Sequence, residues 1–268
     1  MGSKYWLLIL AFILIIAISA QFLTGGQYER IQIAGSTSIQ PVAEKLAENF
    51  QETHPKIKIN VQGGGSGLGI RTAEQGIVNI GMSSIEPKAN EKDGLTDHII
   101  GRDGIVIGVN RANPIDGLNK AQLRDIFSGK ITNWKQIGGN DVEIHVVARE
   151  SGSGTMQGFQ DQVMGKKKIR QDAIVQSSTE AVKQTIKQDP GAIGFISLAH
   201  MSSDIKALKI DGVLPTEKTV ADGSYKLQQP FIFLVKGDPK GYTKDFIDWV
   251  LGPEGQAIVR EEKVVPAK

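Results

Sequence analysis

The sequence contains no cysteine. That excludes disulfides and thiolate metal sites, and with them the lipidated cysteine that tethers many exported receptors. It also has no surplus of either charge. Its 31 Lys and Arg face 29 Asp and Glu, so no general field draws the chain to nucleic acid or acidic polymers. Its four histidines, His54, His98, His145 and His200, are scattered, none at metal-ligand spacing from another. No Gly-Lys-Ser/Thr closes its glycine-rich loop, so this is not a nucleotide phosphate loop. Neither Ser66 nor Ser153 sits in Gly-x-Ser-x-Gly, the turn that presents a hydrolase serine, because Leu68 and Thr155 take the last position. No carboxylate pair suggests general acid–base work, and there is no internal repeat. Enzyme function, metal and cofactor are therefore not expected. What remains can bind charge and has little to break bonds with.

Lys4 precedes an uncharged segment whose apolar heart runs from Trp6 to Ala20. It reads as a secretory signal, with Ala17-Ile18-Ser19 as a small-residue cleavage site. It also reads as an uncleaved anchor, since about 20 apolar residues span a bilayer. Either way residues 1–27 stand outside the fold, and the rest is expected beyond the membrane, on the extracytoplasmic side. About 240 residues remain, enough for two lobes with separate cores.

Those residues alternate strand and helix. Arg30 to Ala34 reads as a strand, and Val42, Leu46 and Phe50 share one face of a helix that stops before Pro55. Ile57, Ile59 and Val61 alternate with polar residues at strand period. A helix from Leu68 to Gln75 and a strand from Ile77 to Gly81 follow. Gly104 to Val109 is a nearly all-apolar strand, as in a covered parallel sheet. Beyond Asn113-Pro114 a second series has strands at 142–148, 192–198 and 230–235 and helices between and after them. The fold class expected is α/β with mainly parallel sheets.

Three turns share one design, in which a strand ends, glycines and hydroxyls follow, and a helix begins. They are Gly35-Ser36-Thr37-Ser38, Gly63 to Gly67 around Ser66, and Ser151-Gly152-Ser153-Gly154-Thr155. N–H groups of a helix's first turn point outward with the positive end of its dipole, glycine admits an oxyanion close to the backbone, and hydroxyls donate further bonds. One such turn is ordinarily an N-cap. Three at the C-terminal ends of strands, where α/β folds hold ligands, point to an anion site. Arg149, two residues before the third turn, is placed to grip a tetrahedral oxyanion at two points.

These residues carry a resemblance. From about Ile31 onward the chain resembles the phosphate-binding subunits of phosphate-specific ABC transporters, through AGSTSIQP (34–41), VQGGGSGLGI (61–70), NIGMSS (79–84), QLRDIFSGKITNW (122–134), ARESGSGT (148–155), PGAIGFISL (190–198) and FIDWVLGPEGQ (246–256). The resemblance implies a two-lobed, periplasmic-binding-protein-like clamshell crossed twice by the chain, with residues 28–108 and 226–268 in one lobe and 109–225 in the other. It implies that Thr37, Ser38, Ser66, Ser84, Arg149, Ser153, Gly154 and Thr155 hold phosphate, supported by Ser36, Gly65, Gly67, Glu150 and Ser151. It further implies a monomer that delivers phosphate to membrane permease subunits. At two positions the chain departs from the family's pattern. Ser84 stands where an aspartate receives the proton of hydrogen phosphate and repels sulfate, and Ser151 replaces the acidic residue that braces the arginine, leaving Glu150 beside it. Sulfate, molybdate and tungstate therefore stay open as ligands. An exported phosphatase would need a nucleophile–base pair that the sequence does not show.

Overall fold

The computed structural model describes residues 28–92 and 94–267. The apolar run of residues 6–20, with its signal-or-anchor reading, lies outside them. Among the described residues no helix is long and apolar enough to cross a membrane.

The first part of the chain runs β1 (Glu29–Gly35), α1 (Gln40–Thr53), β2 (Ile57–Gly63), α2 (Ser66–Glu74), β3 (Ile80–Ser83) and the long β4 (Leu95–Asn110). Pro41 sits in the first turn of α1, where its missing N–H costs nothing. Val42, Leu46 and Phe50 of that helix are buried against the sheet. The helix ends before Pro55, whose ring disfavours helical backbone at the preceding residue.

The second part holds β5 (Gly117–Leu118), α3 (Lys120–Phe127), β6 (His145–Arg149), α4 (Gly154–Phe159, continued by a π-helical turn over Gln160–Met164), β7 (Ile174–Gln176), α5 (Thr179–Gln188), β8 (Ala192–Ser197), β9 (Ile205–Ala207), β10 (Lys209–Ile210) and α6 (Glu217–Ala221). The chain then returns through β11 (Gln228–Lys236) to α7 (Gly241–Val250), α8 (Pro253–Glu261) and β12 (Val265–Pro266).

Two large hydrophobic cores result, with a small cluster of Ile70, Ala73, Ile232 and Leu234 beside the first. One joins Ile31, Ile33, Leu46, Phe50, Ile100, Phe231, Phe233 and Phe246. The other joins Ile105, Ile107, Phe127, Val147, Phe159, Val182, Phe195 and Leu227. Each such side chain contributes about 1.5–3 kcal/mol by leaving water, so each body has its own source of stability. Of the two crossing strands, β4 is shared by both cores, and the return crossing enters β11 from the second. Ile100 belongs to one core and Ile105 to the other, and on the return the change falls between Leu227, just before β11, and Phe231 within it. The architecture is the α/β clamshell of two lobes with two crossovers.

One expectation is corrected. The strands pair in the order β2-β1-β3-β11-β4-β8-β6-β7. The pairs β1–β2, β1–β3, β6–β7 and β6–β8 are parallel. However, β11 runs antiparallel to β3 and β4, and β4 runs antiparallel to β8. The sheet is mixed because a chain that crosses to the second lobe and returns must lay its two crossing strands in opposite directions.

Candidate functional site

The three glycine–hydroxyl turns meet between the two cores. The first leaves the end of β1. Ser36 donates its N–H to Met82 O at 2.9 Å, and its carbonyl accepts from Ile39 and Gln40, which turns the chain into α1. The residue at the cap of α1 is Ile39, and no side chain caps that helix. Thr37 and Ser38 are nonetheless buried, so their hydroxyls are not consumed as caps.

The second turn lies beside the first, with Gly65 donating its N–H to Gly35 O at 2.9 Å. Gly65 has φ +83°, a backbone state that disfavours a side chain. Ser66, fully buried, accepts from the N–H of Ser84 at 3.0 Å, and the two hydroxyl oxygens are 3.2 Å apart. Ser84 follows the last residue of β3 and is itself fully buried.

The third turn comes from the other lobe. Ser153 caps α4, its Oγ accepting from Met156 N at 3.2 Å. A hydroxyl that accepts this bond keeps its own proton to donate. Thr155 is buried, and its Oγ1 lies 2.8 Å from Ser38 Oγ across the lobe boundary. A backbone bond accompanies it, from Gly67 N–H to Gly152 O at 3.0 Å. Gly154 packs so closely on Ser66 and Ser84 that a Cβ there would press into both hydroxyls.

Arg149 is the last residue of β6 and is 3 % exposed. Its Nε donates to Glu150 Oε2 at 3.0 Å and its Nη2 to Glu150 Oε1 at 2.8 Å. Glu150 thus braces the guanidinium, and it occupies the Nε–Nη2 edge that a two-point grip on an anion would use. The two-point grip expected from the sequence is not available on that edge. Ser151 is exposed and forms no part of the cluster.

The sequence reading missed Thr179. It opens α5 and is 1 % exposed. Its Oγ1 accepts from Arg149 Nη1 at 3.0 Å and lies 3.0 Å from Ser38 Oγ and 3.3 Å from Thr37 Oγ1. The signal was present as Ser177-Ser178-Thr179 between a strand and a helix, a turn with hydroxyls and no glycine.

Clefts between the lobes flank the cluster on two sides. One of about 480 Å³ is lined by Thr37, Gln40, Glu44, Ser178, Lys183 and His200 among others. The other, about 320 Å³, includes Ser84, Gln157, Gln162, Gln228 and Gln229. At the edge of the first, burial pushes the His200 imidazole down to about 4, against the opposing pull of Glu180. Among the described residues no group of three or more His, Cys, Asp or Glu side chains could hold a metal ion. What the arrangement can do is surround a small anion with hydroxyls and N–H groups from both lobes, beside one arginine whose charge Glu150 offsets.

Residues 21–254 match the family model of the PBP superfamily domain. The chain is 35% identical over 243 residues to the phosphate-binding protein PstS of Bacillus subtilis, covering 88% of this chain and 80% of that one. A Clostridium perfringens structure, assigned as a phosphate ABC transporter substrate-binding protein and solved with bound phosphate, superposes with a TM-score of 0.86 at 38% identity, covering 90% of this chain and all of that one. An ABC-type phosphate transport receptor from Vibrio cholerae superposes with a TM-score of 0.73 at 34% identity, over 88% of this chain and 99% of its own.

Proposed function

The chain belongs to the PBP superfamily and, within it, to the PstS family of phosphate-binding proteins, and on that premise we propose that it binds inorganic phosphate between its lobes, outside the cytoplasm, and delivers it to the permease of an ABC transporter. One observation carries the reading: buried hydroxyls from both lobes, those of Ser38 and Thr155 foremost, converge beside a buried arginine. Phosphate would be held by Thr37, Ser38, Ser66, Ser84, Arg149, Ser153, Gly154 and Thr155. Each hydrogen bond to a charged group contributes about 1.5–3 kcal/mol, so several convergent donors hold a dianion without a cage of cations. The groups at the cluster donate hydrogen bonds, and they include no nucleophile with a base beside it. That supports a binder rather than an enzyme.

The two cores act as rigid lobes, residues 28–108 with 226–268 and residues 109–225, and the protein works as a monomer. Closure bends β4 between Ile100 and Ile105 and the entry to β11 between Leu227 and Phe231, where core membership changes. Phosphate favours the closed form to the extent that it touches both lobes there. Small-angle scattering tests this: phosphate is expected to shrink the radius of gyration of the purified protein, and an unchanged profile at saturating phosphate contradicts hinge closure.

Ser84 favours a second reading at the same site. A neutral hydroxyl carries no charge to repel sulfate, so sulfate and other tetrahedral oxyanions remain competitors for these donors.

A further inference from the structure

The donors of Arg149 can be followed one by one. A guanidinium has five N–H groups. Nε–H is shared by Glu150 Oε2 at 3.0 Å and Gln176 O at 3.1 Å. Nη2 gives one hydrogen to Glu150 Oε1 at 2.8 Å and one to Ser177 O at 3.3 Å. Nη1 gives one to Thr179 Oγ1 at 3.0 Å. One N–H of Nη1 is left. An anion therefore meets this arginine at a single point, and much of the guanidinium's influence must pass through the group it donates to.

That group is a hydroxyl not used to cap its own helix. Capping of α5 falls to Ser178, whose Oγ accepts from Ala181 N at 3.1 Å. Thr179 is buried, accepts a charge-assisted bond from Arg149, and keeps its own proton to donate. Thr37 and Ser38, both assigned to phosphate above, lie within hydrogen-bond distance of the same oxygen. Thr179 N–H also points at Thr37 Oγ1, at 3.3 Å.

We propose that Thr179 is a further anion-binding residue, its hydroxyl polarised by Arg149 and donating to the phosphate oxygen that Thr37 and Ser38 approach from the other lobe. The proposal rests on the phosphate reading of this site. It makes α5 a fourth contributor to the anion shell beside α1, α2 and α4. Arg149 then acts both through its one remaining N–H and through a neutral relay, which spreads its charge without exposing it.

Calorimetric titration of the full-length protein with inorganic phosphate tests it. Thr179→Val keeps the shape and removes the hydroxyl, Thr179→Ala removes it with less bulk, and Thr179→Ser restores it. Val and Ala are each expected to weaken binding at least about tenfold, with Ser within about threefold of wild type. The double variant Arg149→Ala/Thr179→Val is expected to bind no more than about threefold more weakly than Arg149→Ala alone, because the two residues act in series. A purely structural threonine would give additive losses. Phosphate binding by Thr179→Val or Thr179→Ala at wild-type strength overturns the proposal. So does equal loss in Thr179→Ser and Thr179→Val. Absence of phosphate binding by the wild type is a different failure, that of the phosphate reading, and the same variants are then titrated with sulfate.

Discussion

Asp103 on one crossover strand accepts a 2.7 Å hydrogen bond from Nε2 of Gln229, its register partner on the other. Both side chains are buried where the lobes join. Burial pushes the Asp103 carboxyl up from 3.8 to about 7, resisted by hydrogen bonds from Gln229, Ser197 and backbone N–H groups. Between those pH values the folded protein holds a proton that the unfolded chain releases. Asp103 therefore contributes more stability as pH falls from about 7 towards 4.

His200 works in the opposite sense. Its Nδ1 is enclosed without a hydrogen-bond partner, and the ring titrates at about 4 instead of 6.5. Acid below about 6.5 protonates it in the unfolded chain first and so removes stability. The two effects oppose each other, and each is on the order of a few kcal/mol. The two contributions are separated by comparing variants with the wild type between about pH 4.5 and 7. Asp103→Asn should lose stability on acidification over that range, and His200→Gln should gain it. Melting scans of the three proteins decide, and parallel profiles contradict the assignment.

Gly154 sets how closely the lobes meet. An alanine Cβ there presses into the hydroxyls of Ser66 and Ser84 across the boundary, and these can yield only by turning away from the site. Gly154→Ala is expected to weaken phosphate binding at least about tenfold and to leave the ligand-free melting temperature within about 2 °C, since open lobes accommodate the methyl group. An unchanged affinity in calorimetry would place closure elsewhere.

Much of this was legible in the sequence, for identifiable reasons. The period of Ile57, Ile59 and Val61 gave a strand, and Val42, Leu46 and Phe50 gave a helix, because one buried face leaves a periodic trace. The apolar run Gly104 to Val109 announced burial on both faces but not direction. It is the end of a 16-residue strand that pairs antiparallel with β8 and β11. Ile77, read as strand, is 65% exposed, and β3 begins at Ile80. At the site, glycine made three turns visible. Thr179 was hidden because its hydroxyl-rich turn looks like an ordinary cap, a role that Ser178 in fact fills. That Ser38 meets Thr155 and Thr179, more than 100 residues along the chain, is a property of the fold and leaves no local mark.

In the proposed site Ser84 is the residue expected to set selectivity. Its neutral hydroxyl sits against Ser66, so the wild type is expected to bind sulfate measurably. Ser84→Asp places an acceptor with a charge at the same point, which repels sulfate and favours an anion that brings a proton. The ratio of sulfate to phosphate dissociation constants is expected to rise at least about tenfold in the variant, with competition titrations as the measure. An unchanged ratio would mean that this position does not face the anion.

Arg149→Ala removes the cluster's arginine and leaves Glu150 without its partner, a charge that repels the anion. Phosphate affinity is expected to fall at least about tenfold. Glu150→Gln keeps a brace for the guanidinium without the negative charge and is expected to retain binding within about threefold. The pair of titrations separates the arginine's charge from its positioning.

Isothermal titration of the purified protein with phosphate, sulfate and molybdate between about pH 5 and 8 tests the central claim most directly. Saturable binding of one phosphate per chain, tighter than that of sulfate or molybdate, is the result expected. No phosphate binding, or phosphate held no more tightly than sulfate throughout, would contradict it.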